Sequence, residues 1–471
     1  MTTLEIAFRN IFRNRRRSLM TLMTICIGAV ATLIFAGFMN YMLLGYQTVT
    51  VERTGHLAIS QNGYFDFGAG NPTAYSIRKY KDIVRLVEND PVLRPMTAVV
   101  TPTLSLVGIA GNYSADASKT FFGQGVVPAD GDHMRQWNEY GLGVDGRFNK
   151  QRYLLANDDI DGGVVGTGLA RILRLCEPLH IDGCPSPPKE KKNRPAMDIA
   201  SVAPEDFTSL VAEIAPPPQD NSAEELHIDL LAATSGGTPN VVSLTVKGAD
   251  YMGIKEVDDN FILMNLERAQ QLLYGRNEHE VTSIVVQLHK TEDLPQAHAQ
   301  LVSLFKTHGL DLEVHDFTDL VSQYKQVEGM YQFIFLFISM IMVIIVLFTV
   351  VNTMSMSVME RTAEIGTLRA LGVQRGGIRR QFVAEGWVLG VIGATAGVAL
   401  ASGITIAINH ASFTFTPPGV VRPIPFSLYL FGDSGIILKT WLSLTVVAAI
   451  AAFVPAHRAA KMPVVDALRH V

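Results

Sequence analysis

Little in this sequence is equipped for chemistry. Only 18% of the residues are charged and only three are cysteine. No GxxxxGK[ST] stretch occurs, so the chain has no P-loop with which to cradle nucleotide phosphates. HExxH and GxSxG are missing too, and the 12 histidines are scattered. That leaves no zinc-protease helix and no serine nucleophile elbow. A stand-alone enzyme is disfavoured, and if the protein performs work, the energy comes from another molecule.

What the chain has instead is apolar length. Hydrophobic residues make up 48% of 471 positions, and they cluster at the N-terminus and beyond Tyr331. At about 100–200 residues per domain the chain is too long for one compact unit. Crossing a hydrocarbon core of roughly 30 Å takes about 20 apolar residues. Four segments qualify: 19–46, 331–356, 385–410 and 438–455, the last ended by Pro455. The expected fold class is a polytopic α-helical membrane protein with four transmembrane helices. A large α+β extracytoplasmic domain, 47–330, is inserted between the first and second. The first run is too long for a signal-peptide core and lacks a small-residue cleavage site, so it reads as retained.

Arginine and lysine set the orientation. Arg9, Arg13, Arg15, Arg16 and Arg17 precede the first run. Arg361, Arg369, Arg375, Arg379 and Arg380 lie in loop 357–384, and Arg458, Lys461 and Arg469 in tail 456–471. Loop 411–437 carries only Arg422. Both termini and loop 357–384 are therefore expected in the cytoplasm, with the middle domain and loop 411–437 on the far side. Residues 1–18 are expected to form an interfacial helix, with Leu4, Phe8, Ile11 and Phe12 on one face.

In the middle domain, 56–60, 241–248, 260–265 and 282–288 read as strands. Residues 77–89, 266–275 and 294–309 read as helices. Residues 184–225 are rich in proline and polar groups and read as an insertion. Cys176 and Cys184 fit a disulfide closing a small loop. A metal site with His180 and a pair of free thiols are the alternatives, and the set is incomplete for zinc.

Several stretches resemble a known family. "VVNTMSMSVMERTAEIGTLRALGVQRGGIRRQFVAEGWVLGVIGATAGVALA" (350–401) is similar to the core of FtsX-like ABC transporter permeases. "PAHRAAKMPVVDALRHV" (455–471) resembles that family's closing segment, and "EIAFRNIFRNRRRSLMTLMTICIGAVA" (5–31) its first span with a basic elbow. "GGVVGTGLARIL" (162–173) and "VVSLTVKGAD" (241–250) resemble the MacB-like periplasmic core domain. "TGHLAIS" (54–60) fits the lipoprotein-releasing, LolC/LolE-like branch. The resemblance implies a multi-pass protein of the bacterial inner membrane. It implies a non-enzymatic permease working with two copies of an ABC ATPase subunit, which would bind the ATP and magnesium. A second permease protomer, identical or homologous, is implied, and a periplasmic adaptor or lipoprotein is a further partner. No cofactor is expected in this chain, and membrane lipids but no nucleic acid are expected as contacts. The implied function is movement or extraction of a lipoprotein, lipid-like or amphiphilic substrate. The alternative is mechanotransmission to a periplasmic hydrolase or sensor without transport.

Two residue sets are expected to matter. Glu360, Arg361, Glu364, Leu368, Arg369 and Leu371 are expected to seat a short helix, capped by Thr362 or Thr367 and ended by Gly372, in a groove on the ATPase. Gly386, Gly390, Gly393 and Gly397 share one face of the third span and are expected to pack against a neighbouring span or a second protomer. Residues 316–333 are expected to prolong the second span outward as a helical stalk.

Overall fold

The computed structural model describes residues 3–13, 15–68, 71–142, 155–181, 226–252, 255–275, 279–411, 413–415, 424–432 and 434–464. The chain divides into two compact units. One comprises Met1–Arg53, Trp137–Asn149 and Asp316–Val471, the other Thr54–Gln136 and Lys150–His315. The expected insertion 184–225 lies outside the described residues.

The first unit is helical. Its main elements are α1 (Thr3–Arg13), α2 (Arg15–Thr54), α3 (Ser322–Glu360), α4 (Thr362–Ala370), α5 (Arg375–Ala411) and α6 (Ser434–Lys461). Four of these, α2, α3, α5 and α6, are long and apolar enough to cross a membrane. α2 has 40 residues and α3 has 39. At 1.5 Å per residue each is about 60 Å long, roughly twice the hydrocarbon core. They run antiparallel along each other. Val346 fits against Gly28, the rings of Phe35 and Phe335 stack at 6.5 Å, and those of Tyr46 and Tyr324 at 5.4 Å. The stalk begins only at Ser322. Residues Phe317–Leu320 form a separate turn of helix, and Val321 (φ −100°, ψ 85°) breaks the path between them.

Two other expectations change. α6 does not stop at Pro455 but continues to Lys461. Its last turns are held by the burial of Ala456, Ala459 and Ala460, which outweighs the one backbone bond a proline removes. In α1, Ala7 and Ile11 enter the bundle core beside Ile25, Val388 and Leu389 instead of lying at the headgroups. Phe8 remains half exposed. The side chains of Leu4 and Phe12 lie outside the description.

The glycines of α5 explain the close packing. Gly386 meets Ala452 of α6, and a methyl at Gly390 would stand 3.0 Å from Ala448 Cβ. Further along, a methyl at Gly393 would stand 2.8 Å from Ile25 Cβ, and Gly397 meets Ala29. The stripe thus seats two helices of the same chain, α6 first and then α2. In the last turn of α5, Asn409 Nδ2 donates to Leu428 O at 3.0 Å and Leu428 N–H donates to Asn409 Oδ1 at 2.8 Å. This returns the chain toward Gly37 of α2, whose carbonyl accepts from Tyr429 N–H.

The second unit is built on nine strands: β1 (Leu57–Gln61), β2 (Thr97–Asn112), β3 (Ala117–Val126), β4 (Gly162–Gly166), β5 (His227–Ala233), β6 (Pro239–Asp250), β7 (Phe261–Asn265), β8 (Ser283–Leu288) and β9 (Leu312–Asp316). Their order is β3-β7-β4-β6-β5-β2-β8-β1-β9, and an additional β2–β3 pairing closes the first six into a barrel. β2 is long enough to serve both parts, since residues 97–103 pair with β8 and 104–112 with β3. Inward positions match large to small across the ladder. Leu106 faces Gly123 and Phe121 faces Gly108, so the fully buried Phe121 ring fills space a side chain would otherwise take. β4 runs directly into a helix, Thr167–Ile172. The buried Asp258 carboxylate accepts that helix's first amides, Thr167 N–H at 3.0 Å and Gly168 N–H at 2.7 Å, together with Met252 N–H at 3.1 Å. The glycine-rich stretch 162–168 is therefore satisfied internally.

Candidate functional site: the coupling segment

α3 ends at Glu360, Arg361 leaves helical geometry (φ −103°, ψ 17°), and α4 begins at Thr362. Neither threonine caps it. Thr362 Oγ1 donates back to Met359 O at 2.8 Å and Val358 O at 3.2 Å, which staples α4 to the end of α3. At the other end, Gly372 takes φ +94°. Its N–H donates to Arg369 O at 3.1 Å, and Val373 N–H donates to Leu368 O at 3.0 Å. This paired pattern is the Schellman termination that a glycine makes inexpensive. The expected basic loop after Gly372 is not a loop. Arg375 opens α5, whose first turns bury Ile378 and Phe382 with Ile365, Val358 and the alanines of α6. Arg379 lies 5.5 Å from the Phe453 ring centre, a cation–π distance.

The six residues expected at a docking surface separate into two groups. Arg361 is not at the surface. It is 6% exposed and its Nη1 pairs with Glu385 Oε2 at 3.2 Å, Glu385 being equally buried. Its Nε lies 3.5 Å from Glu364 Oε2. Arg369 turns back too. Its Nη1 donates to Ala460 O at 2.8 Å and Met462 O at 3.2 Å, meeting carbonyls that the end of α6 leaves open. Both arginines are therefore internal braces. Leu368 and Leu371 remain exposed, Leu371 at 78%. With Glu360, Glu364 and the exposed Met359 they form the outer face. Buried Thr362, Ile365 and Gly366 form the inner one.

Three residues outside that set join the site. Arg13 Nη2 donates to Glu364 Oε1 at 2.8 Å and Oε2 at 2.9 Å, and Arg17 pairs with Glu360. The third is Glu385. Its signal was a single acid opening an apolar run, which in a membrane segment marks a paired, structurally committed group. Arg13 and Arg17 gave no comparable signal, because flanking arginines already serve orientation.

The remaining expected site residues are a cysteine pair. Cys176 is disulfide-bonded, Cys184 lies outside the described residues, and Cys26 of α2 is free. Among the described residues no group of three or more histidines, cysteines and acids is placed to hold a metal ion.

A bundle of four membrane-length helices, with a short helix turned outward between two of them, fits a polytopic membrane protein. Residues 336–464 match the family described as FtsX-like permease C-terminal, so the chain carries an FtsX-like permease domain. It is 28% identical over 196 residues to the macrolide export ATP-binding/permease protein MacB of Hyphomonas neptunium, covering 40% of this chain and 29% of that protein. It is 25% identical over 245 residues to the lipoprotein-releasing system transmembrane protein LolC of Neisseria meningitidis serogroup B, covering 50% of this chain and 57% of LolC. It is 32% identical over 137 residues to the ABC transporter permease YtrF of Bacillus subtilis, covering 28% of this chain and 31% of YtrF. The chain thus spans less than a third of the MacB relative and little more than half of LolC.

Proposed function

We propose that this chain is the permease subunit of an ABC transporter of the inner membrane. It passes the work of ATP hydrolysis, done by a separate ATPase subunit, to its extracytoplasmic domain, and so moves or extracts a lipoprotein, lipid-like or amphiphilic substrate. The observation that carries this reading is the outer face of α4. Leu368 and Leu371 are exposed beside Glu360 and Glu364, on a helix whose inner face and both ends are braced. A rigid short helix with an apolar, acid-rimmed face is suited to a groove on another protein. The FtsX-like match includes this helix, which supports the assignment.

The arginine bias supports cytoplasmic termini and a cytoplasmic α4, with the barrel unit on the periplasmic side. α3 leaves Phe333, Leu336 and Phe348 more than 60% exposed, which suits lipid or a second permease protomer. Two protomers would take two ATPase copies.

Binding of the ATPase subunit to the full chain tests the reading. Leu368→Glu/Leu371→Glu is expected to abolish co-purification and lose the permease-dependent part of the ATPase rate, with the thermal stability of the chain unchanged. Wild-type co-purification and rate would refute it.

A further inference from the structure

Glu360 and Glu364 stand on the proposed docking face, and both are occupied from within the chain. Arg13 grips both oxygens of Glu364 across a sequence separation of 351, and Arg17 pairs with Glu360. The arginines come from α1 and the first turn of α2, which a single residue separates. α1 is anchored by buried Ala7 and Ile11. Its arginine can therefore leave the glutamate by side-chain rotation while the helix stays in place. The cations of the coupling segment itself are committed elsewhere. Arg369 serves the carbonyls of α6, and Arg361 is buried with Glu385, reaching Glu364 only at 3.5 Å.

We propose that the N-terminal helix occupies the coupling surface in the absence of the ATPase. Arg13 and Arg17 hold Glu364 and Glu360, and arginine or lysine side chains of the ATPase subunit displace them on docking. The inference rests on the proposed function and adds the chemistry of the partner's groove, which is basic where it meets the glutamates. The physical ground is the exposure of the pairs. The Arg13 and Glu364 side chains are 52% and 54% exposed, and the Arg17 and Glu360 side chains 33% and 42%. Exposed ion pairs are weak and shift an equilibrium by about fivefold at most. They are strong enough to order two glutamates and weak enough to be exchanged. Within a closed protein interface the same glutamates would be dehydrated, and charge-assisted bonds to the partner would strengthen accordingly. Each internal bridge thus acts as a competitor built into the chain.

The sign of one measurement decides the matter. The full chain is placed in lipid nanodiscs and titrated with the ATPase subunit that co-purifies with wild type. Arg13→Gln/Arg17→Gln removes the competitor and is expected to bind about three- to tenfold more tightly, with the gap closing at high salt. Unchanged or weaker binding overturns the proposal, and weaker binding would mean that the arginines themselves face the partner. Arg13→Lys/Arg17→Lys keeps both charges and is expected to match wild type; a gain equal to that of the Gln pair would also overturn it. Glu360→Gln/Glu364→Gln is expected to weaken binding about tenfold. If that pair has no effect while Leu368→Glu/Leu371→Glu does, the docking helix stands and the exchange falls. If neither pair matters, the docking reading itself falls. Should a double variant fail to insert, Arg13→Gln and Arg17→Gln alone carry the same test.

Discussion

Arg361 and Glu385 meet where neither can be hydrated, so their charges depend on each other. Removing one partner of such a pair leaves the other buried and uncompensated, at a cost of about 3–5 kcal/mol. Glu385→Gln is expected to destabilise the chain by that amount in detergent unfolding curves. Arg361→Met/Glu385→Leu is expected to recover most of the loss, since apolar replacement of a whole buried pair is often neutral. In the second unit His56 is fully buried. Its Nδ1 accepts Leu288 N–H at 3.0 Å, and Nε2 lies 3.2 Å from Thr291 Oγ1. Burial lowers its pKa from 6.5 to about 3. Above pH 6.5 the ring is neutral folded and unfolded and adds no pH dependence. Between 6.5 and about 3 only the unfolded chain takes the proton, so stability falls as pH falls. Hydrogen exchange of the β8 amides in the full chain is expected to speed up from pH 6.5 to pH 4 beyond its intrinsic pH dependence, and His56→Gln is expected to flatten that excess. At this scale the sequence was only partly legible. Arg361 was expected to face the ATPase groove because its partner sits 24 positions away on another helix, and no local pattern connects the two.

The elements were easier to read than their ends. Four membrane runs and the strands at 57–61, 239–250, 261–265 and 283–288 follow from hydropathy and alternation. β2 and β3 do not stand out, because β2 carries Pro102 and Gly108 and is shared among three pairings. Helix ends moved because packing decided them. Ala456, Ala459 and Ala460 carry α6 past its proline, and Ile378 with Phe382 draws the arginine-rich stretch into α5. The glycine stripe of α5 was legible as a packing face, but its two partners were not. Gly390→Leu is expected to separate α5 from α6 and destabilise the bundle by about 1–3 kcal/mol, measured by the melting temperature of purified chain. Gly372→Ala places a side chain at φ +94° and is expected to cost about 1 kcal/mol, read as faster hydrogen exchange in α4 alone.

For the whole molecule, orientation is the open test of the proposal. In a Cys26→Ser background, Ser114→Cys is expected to react with an impermeant thiol reagent applied outside spheroplasts, and Arg375→Cys only after lysis; the reverse pattern would refute the cytoplasmic placement of α4. The layout of helices around a middle domain was visible in hydropathy alone. Closure of the barrel was not, because it depends on β2 pairing with three strands. The antiparallel rods α2 and α3 have a mechanical consequence. Their stacked pairs, Phe35 with Phe335 and Tyr46 with Tyr324, sit 11 residues apart on each rod, about 16 Å at helical rise. Because the two spacings are equal, the rods act like a vernier with matching marks. A small slip misaligns both pairs together, and sliding in either direction meets resistance at two points at once. Tilting the rods as one body disturbs neither pair, so these two contacts resist shear between the rods and leave a common tilt to be set by the packing of α5 and α6.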